Sequence, residues 1–177
     1  METKTYTTLD RAALGWPSGE WDSEPDKVQW PDADTGLPCL AVRNRHAGNW
    51  CGYVGVAEGH PYVGKDYNDT ADLEVHGGLT FANKCQPGQD ESHGICHLPG
   101  PGEPDHVWWL GFDCAHAWDH SPQDVARSVE GYPWTIDSDS RYRTLRYVQN
   151  QCASLAAQLA LHAQLASVEM PDVASAA

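Results

Sequence analysis

Positive charge is scarce in this chain of 177 residues, where 11 lysines and arginines stand against 25 aspartates and glutamates, for a formal net charge of -14 at pH 7. Such a charge repels polyanions at long range and disfavours binding to duplex nucleic acid or to an anionic membrane. Long apolar runs are also lacking, and none approaches the roughly 20 residues that span a bilayer. The N-terminus has neither the basic start nor the apolar stretch of a signal peptide. We therefore expect a cytoplasmic protein.

The chain has no internal repeat, and its length fits one domain with a sizeable core. Short strand patterns come first and a long helix pattern comes last. This order predicts an α+β fold with a small, mostly antiparallel sheet and a long C-terminal amphipathic helix packed on one face. We expect a single domain over residues 1–168 and a flexible tail over 169–177.

Local patterns place the elements of this fold. The proline-rich segment 17–38 is predicted to be a loop or extended, and segment 83–105 a long loop. Segment 39–57 indicates two strands around a turn at 46–49, and the apolar run 106–116 indicates a buried strand. A further strand is expected over 73–82, where the pair Gly77 and Gly78 marks a bulge or a close approach. Ser121 followed by Pro122 is typical of a helix start.

The last helix has the clearest pattern in the chain. Apolar residues recur at spacings of three and four from about residue 140 to 167, namely Leu145, Val148, Cys152, Leu155 and Leu159. Packing on the sheet of the same chain explains this stripe. A homodimer seam through the alanine-rich end of the helix explains it equally well.

Six cysteines and nine histidines make metal binding a live hypothesis. Cys114 and His116 follow the aromatic strand and share a face if the strand continues, while Asp113 points away. Glu74 and His76 would project together from the strand before the two glycines. The alternative is structural: a buried cysteine, and histidines that satisfy polar groups of the fold.

Together these residues predict a mononuclear site for a divalent metal such as zinc. Its ligands would be His76 and His116 with either Asp113 or Cys114, and an open position would hold a water of lowered pKa. We expect a hydrolase that acts on a small nucleotide or on another phosphate or amide substrate. In it His76, His116 and Asp113 act as ligands, acids or bases, and Glu74 is a candidate base. Two looser candidate groups are His60, Asp66 and Asp69 in a polar loop, and Cys85, His93, Cys96 and His97 as a structural zinc site.

A competing chemistry uses Cys51 as a nucleophile, activated by His76 with Asp113 or Glu74. Cys51 is predicted to lie in a strand, whereas activated thiols usually lie at a helix start, where the pKa of the thiol is lowered. We therefore rank this interpretation below the metal site.

Two further hypotheses need no catalysis. Arg141, Arg143 and Arg146, which with Arg127 form the one basic stretch, could bind a small anionic ligand such as a nucleotide while Trp109 stacks on its base. Most of these arginines would otherwise only solvate a helix face. An acidic inhibitor that covers a basic site on a host protein is the other hypothesis, and the net charge favours it.

The segments CGYVGV (51–56), VHGGLTF (75–81) and WWLGFDCAH (108–116) resemble a group of small proteins found in bacteriophages and bacteria. The similarity runs from about Trp50 to the final helix. The resemblance implies a cytoplasmic, phage-type accessory protein. Proteins of that kind often interfere with host processes, including defence signalling through nucleotides.

Overall fold

The computed structural model describes residues 1–85, 90–95, 97–103, 107–131 and 136–169. The strands are β1 (Lys4–Tyr6), β2 (Lys27–Pro31), β3 (Pro38–Arg43), β4 (Trp50–Ala57), β5 (Phe81–Lys84), β6 (Val107–Asp113), β7 (Asp119–His120) and β8 (Arg141–Tyr142). The helices are α1 (Pro122–Val129) and α2 (Leu145–Glu169), with two short 3-10 turns at Glu20–Ser23 and Tyr67–Asp69.

Six strands form one antiparallel sheet in the order β1-β2-β3-β4-β6-β5. The strands predicted over 39–57 and 106–116 are present as β3, β4 and β6. Strand β6 lies inside the sheet, and Trp109, Leu110 and Phe112 on it are almost fully buried. A separate parallel pair joins β7 to β8, with Asp119 opposite Arg141.

Helix α2 packs on one face of the sheet, which confirms the α+β class and the role of the long helix. Its residues Val148, Cys152, Leu155 and Leu159 are fully buried and belong to one core cluster with side chains of β3, β4 and β6. The helix begins at Leu145 and not near residue 140, because residues 141–142 form strand β8. The predicted apolar stripe is therefore the inner face of the helix.

The last turns of α2 are exposed on their apolar side. Leu161 and Leu165 are 53% exposed and Val168 is 79% exposed. The homodimer seam expected from the sequence concerns this end of the helix and stays a prediction. Of the expected tail, residues 170–177 lie outside the described residues.

Two segments differ from the prediction. The segment 17–38 is not only loop, because it contains β2, whose backbone pairs with both β1 and β3. The expected strand over 73–82 was wrong for residues 73–80, since only β5 from Phe81 onward pairs with β6. Gly77 and Gly78 have φ values of +68° and +87°, and a strand cannot continue through two such residues.

Local capping explains α1. Ser121 accepts a hydrogen bond from the Asp124 amide, and the Asp124 carboxylate accepts one from the Ser121 amide. This reciprocal pair satisfies two amide groups at the helix start. The helix predicted to start here is confirmed.

Glu24 ties the start of α2 to the sheet. Its carboxylate accepts hydrogen bonds from the Leu145 amide (2.6 Å), the Tyr142 hydroxyl (2.6 Å), Arg43 (2.8 Å) and the Trp50 indole (3.0 Å). Because Tyr142 belongs to β8 and Leu145 begins α2, this one side chain fixes both ends of the segment that carries Arg143.

Glu91 ties the loop after β5 to the edge of the sheet. Its carboxylate accepts hydrogen bonds from Lys4 (3.0 Å), Tyr6 (2.9 Å), Gln29 (3.2 Å) and the Leu98 amide (2.9 Å). Burial raises the pKa of Glu91, but these donors outweigh it and lower the pKa from 4.5 to about 2.

We expect Glu91→Gln to lower the free energy of unfolding by about 1–2 kcal/mol at neutral pH, because charged hydrogen bonds become neutral ones. A carboxyl with a lowered pKa stabilises the fold above its unfolded pKa and loses that contribution as pH falls toward about 2. The difference between wild type and variant should thus shrink below about pH 4.5. Urea unfolding of wild type and variant, at neutral pH and at about pH 3, measures the difference in their free energies of unfolding. A difference that is the same at both pH values would contradict the role of Glu91.

Within the described residues, no helix is both long and apolar enough to cross a bilayer.

Candidate functional site

Asp119 is the centre of a polar cluster next to the β7–β8 pair. Its Oδ2 lies 2.8 Å from His76 Nε2 and 3.3 Å from His116 Nδ1, and also accepts a hydrogen bond from the His116 amide. Its Oδ1 accepts a 2.6 Å hydrogen bond from Arg143 Nε. The Asp119 side chain is only 1% exposed, whereas those of His116 and Arg143 are 21% and 23% exposed. The cluster is therefore buried at Asp119 and open at His116 and Arg143.

Helix α2 holds the loop that carries His76. The Gln151 side chain accepts a hydrogen bond from the His76 amide (2.9 Å), and the Gln158 side chain bonds both the amide and the carbonyl of Glu74. Tyr147, one turn before Gln151, places its hydroxyl 2.9 Å from His76 Nδ1. Since residues 147, 151 and 158 recur at helical spacing, one face of α2 replaces the strand partner that this loop lacks.

His116 lies in the turn between β6 and β7 and contacts the glycine pair. A Cβ on Gly77 would lie 2.0 Å from the His116 ring, so only glycine lets the two segments approach this closely. The His116 ring also stacks on Trp118, at a centroid distance of 5.0 Å and with the planes 5° apart. Trp118 is 51% exposed. The imidazole thus lies between a loop backbone and an open indole.

Hydrogen bonding fixes the protonation pattern of the cluster. Burial raises the pKa of Asp119, but hydrogen bonds from Arg143, His76 and the His116 amide outweigh it and hold that pKa below its usual value. Asp119 is thus ionised near neutral pH, and His76 Nε2 must carry the proton it donates. In a neutral ring His76 Nδ1 then accepts the Tyr147 O–H. Burial raises the pKa of Tyr147, which keeps that proton in place.

Among the described residues, one group of three ligand-type side chains has its ligand atoms within 4.8 Å of one another: His76, His116 and Asp119. The two histidines expected to share a site do lie together, with ring centroids 5.1 Å apart. The cluster arises from a turn and a loop and not from two strand faces.

The other expected members of the site lie elsewhere. Asp113 ends β6, and its carboxylate accepts the Ala115 amide instead of joining the histidines. Cys114 is buried and outside the ligand group, and burial raises the pKa of its thiol. Glu74 is exposed and is held through its backbone. The structure does not bring Asp113, Cys114 or Glu74 into the group of the two histidines. Strand β6 ends at Asp113, and β5 begins only at Phe81, after Glu74.

The Cys51 nucleophile is not supported by the environment of its thiol. Burial, with a smaller effect of Asp113, raises the pKa of Cys51 to about 12. A thiol with this pKa stays protonated near neutral pH, and the thiolate is the nucleophilic form. His76 is meanwhile engaged by Asp119 and Tyr147.

The looser metal candidates do not assemble in the described parts of the chain. Cys85 is disulfide-bonded, Cys96 lies outside the described residues, and His93 and His97 contact Ser92 and Trp109. In the polar loop, His60 accepts from the Tyr62 amide and lies 3.0 Å from the Leu159 carbonyl, while Asp66 accepts the Asn68 amide. These contacts fix loops and explain the histidines without an ion.

Of the ligand-binding residues expected from the sequence, Arg143 alone bonds to a residue of the cluster. Arg141 donates to the carbonyls of Ser138 and Ser140, and Arg146 is exposed. Trp109 is fully buried in the sheet and cannot stack on a ligand, which corrects that assignment. Trp118 has the exposed ring that Trp109 was expected to provide.

The sequence analysis missed Asp119 and Tyr147. Asp119 stands three residues after His116, and a His-x-x-Asp spacing in a turn was a usable signal. Tyr147 sits one turn before Gln151 on the helix, and nothing in the sequence relates it to His76, 71 residues earlier.

Comparison with protein-family models, with curated proteins and with solved structures finds no match to this chain. The resemblance to phage proteins therefore stays an expectation.

Proposed function

We propose that the protein is a metal-assisted hydrolase whose divalent ion, zinc in the first instance, binds His76, His116 and Asp119. The observation that carries the proposal is the convergence of two imidazoles and a carboxylate within 4.8 Å from two separate segments of the chain. Two histidines and one carboxylate are a ligand set of catalytic zinc sites, which keep a fourth position for water.

The spacing of the ligand atoms supports this proposal. Two ligands about 2.0–2.1 Å from one tetrahedral ion lie roughly 3.3 Å apart. Asp119 Oδ2 lies 2.8 Å from His76 Nε2 and 3.3 Å from His116 Nδ1. An ion therefore needs small side-chain shifts and replaces the two hydrogen bonds between the imidazoles and Oδ2 of Asp119.

The neighbours of the ligands fit the same role. Arg143 occupies Oδ1 of Asp119 and leaves Oδ2 to an ion. When His76 Nε2 binds the ion, its proton must reside on Nδ1, where the Tyr147 oxygen can accept it. The ion would lower the pKa of a bound water and so generate hydroxide as the nucleophile near neutral pH.

The test is a zinc titration by calorimetry, with elemental analysis, on protein purified without a metal-affinity tag. We expect about one equivalent of zinc in wild type and none in His116→Ala or Asp119→Asn. Chelator-sensitive hydrolysis should be sought with nitrophenyl esters of phosphate and carboxylate. Wild type that retains no more zinc than Asp119→Asn, or hydrolysis that survives both substitutions, would overturn the proposal.

Tyr147→Phe should weaken zinc binding about 10–100-fold, because it removes the oxygen that orients the His76 ring. The matched control is Tyr67→Phe, since Tyr67 is 40% exposed and its hydroxyl forms no hydrogen bond with a described residue. Calorimetric zinc titration of both variants measures the effect. Equal affinities in the two variants would show that the Tyr147 hydroxyl does not support the site.

A further inference from the structure

The guanidinium of Arg143 presents an unused edge beside the ligand cluster. Its Nε is held by Asp119 Oδ1, and its Cζ lies 5.0 Å from the centroid of the Tyr147 ring. Neither Nη1 nor Nη2 bonds to any residue that the structure describes, and the side chain is 23% exposed. Two parallel N–H groups in this fixed fork match an oxoanion bidentately.

The indole of Trp118 presents an open aromatic surface on the same cluster. One side of the ring stacks on His116, its centroid is 6.3 Å from that of His76, and the residue is half exposed. A tryptophan normally covers most of its apolar area, so an indole this open beside a polar cluster is available for stacking. Nucleobases stack on such rings with little dependence on sequence.

The backbone keeps these two groups close together. The Trp118 carbonyl accepts a 3.0 Å hydrogen bond from the Arg141 amide, at the point where the β7–β8 pair begins. Trp118 directly precedes β7 and Arg143 directly follows β8. The indole stacks on His116 and the guanidinium bonds to Asp119, so each group contacts one ligand of the proposed ion.

We propose that the substrate is a nucleoside phosphate, whose phosphoryl group binds the outer edge of Arg143 and whose base stacks on Trp118. The hydrolysis of this substrate depends on the proposed function, whereas its binding to Arg143 and Trp118 does not. An amide or carboxylic ester would offer no anionic group to Nη1 and Nη2 of Arg143, whose Nε is already paired with Asp119.

In the hydrolysis of a monoester the water oxygen bonds to phosphorus and the P–O bond to the nucleoside breaks. The nucleoside oxygen takes one water proton, and the other stays on the phosphate.

The test compares four small molecules on zinc-loaded and on chelator-treated protein by calorimetry: adenosine 5′-monophosphate, uridine 5′-monophosphate, adenosine and ribose 5-phosphate. Phosphate release is followed in parallel. We expect both nucleotides to bind at least about tenfold more tightly than adenosine or ribose 5-phosphate, because only they use both groups.

Two variants separate the two contacts. Arg143→Lys should weaken the nucleotides and ribose 5-phosphate about tenfold and leave adenosine unchanged. Trp118→Ala should weaken the nucleotides and adenosine about tenfold and leave ribose 5-phosphate unchanged. Arg146→Lys is the control, since Arg146 is exposed and bonds to no described residue. Zinc affinity and thermal unfolding are measured in every variant.

The outcomes distinguish the two proposals. Zinc binding without a preference for nucleotides over ribose 5-phosphate and adenosine overturns the nucleotide inference and leaves the metal site intact. Nucleotide binding without zinc binding, and with the ligand recovered unchanged, overturns the hydrolase and supports a protein that sequesters nucleotides. Variants that affect all four molecules equally also overturn the assignment of the two contacts.

Discussion

Asp119→Ala is expected to abolish zinc binding and to lower the free energy of unfolding by about 3 kcal/mol. The substitution removes the carboxylate shared by His76, His116 and Arg143, and it leaves a buried imidazole N–H without its acceptor. Removal of one partner of a buried ion pair costs about 3–5 kcal/mol. We expect the lower end of that range, because Arg143 is 23% exposed and regains water.

Asp113→Ala is the matched control for this prediction. Asp113 is also an aspartate at a strand end, but among the described residues its carboxylate accepts a hydrogen bond only from the Ala115 amide. We expect its loss to cost about 1 kcal/mol and to leave zinc affinity unchanged. Urea unfolding and calorimetric zinc titration of both variants measure the contrast. Loss of zinc binding in Asp113→Ala, with Asp119→Ala still loaded, would restore the ligand set expected from the sequence.

Gly77→Ala should damage the site more than its small size indicates. The added methyl would lie 2.0 Å from the His116 ring, so the ring must move away from Asp119 or the loop must leave α2. Its φ of +68° adds about 1–2 kcal/mol of backbone strain. We expect zinc affinity to fall at least about tenfold, the loss typical of a disturbed ligand.

Gly78→Ala separates strain from contact. Gly78 also has a positive φ, +87°, but an added Cβ there meets no atom within 4 Å. It should cost a similar 1–2 kcal/mol in unfolding free energy and leave zinc affinity nearly unchanged. Calorimetry and thermal unfolding on both variants compare the two. If both glycines affect zinc binding equally, the contact with His116 is not what positions that ligand.

The sequence predicts the frame of this molecule better than its site. Helix α2 and strands β3, β4 and β6 follow from apolar periodicity, because each buries one continuous set of side chains such as Val148, Cys152 and Leu155. Strand β2 was missed although its first four residues alternate between polar and apolar, because the run is only five residues long and lies in a proline-rich segment. Its polar residues Lys27 and Gln29 are buried along with Val28. Hydrophobicity alone does not predict a buried lysine such as Lys27, which lies near Glu91.

The site could be predicted only in part, since side-chain identity marked the histidines while the third ligand depended on where the strand ends. The sequence predicts that β6 continues past Asp113. In the structure the chain turns there, so that the Asp119 carboxylate accepts a hydrogen bond from the His116 amide. Likewise, the strand expected around His76 does not form, because the two glycines that follow His76 have positive φ values and pairing begins only at Phe81. The periodicity of apolar residues does not predict where a strand turns, and both histidines of this cluster lie in a turn or a loop.

The side chains of α2 that bond the His76 loop have a consequence for its motion. The amide hydrogens of Glu74 and His76 are both held by glutamine side chains of one helix, Gln158 and Gln151. Neither can exchange with solvent until the loop lifts from that helix, so the two should exchange together, at the rate of a single local opening. How long the histidine stays in place between openings then depends on both glutamines, which lie two turns apart on the helix.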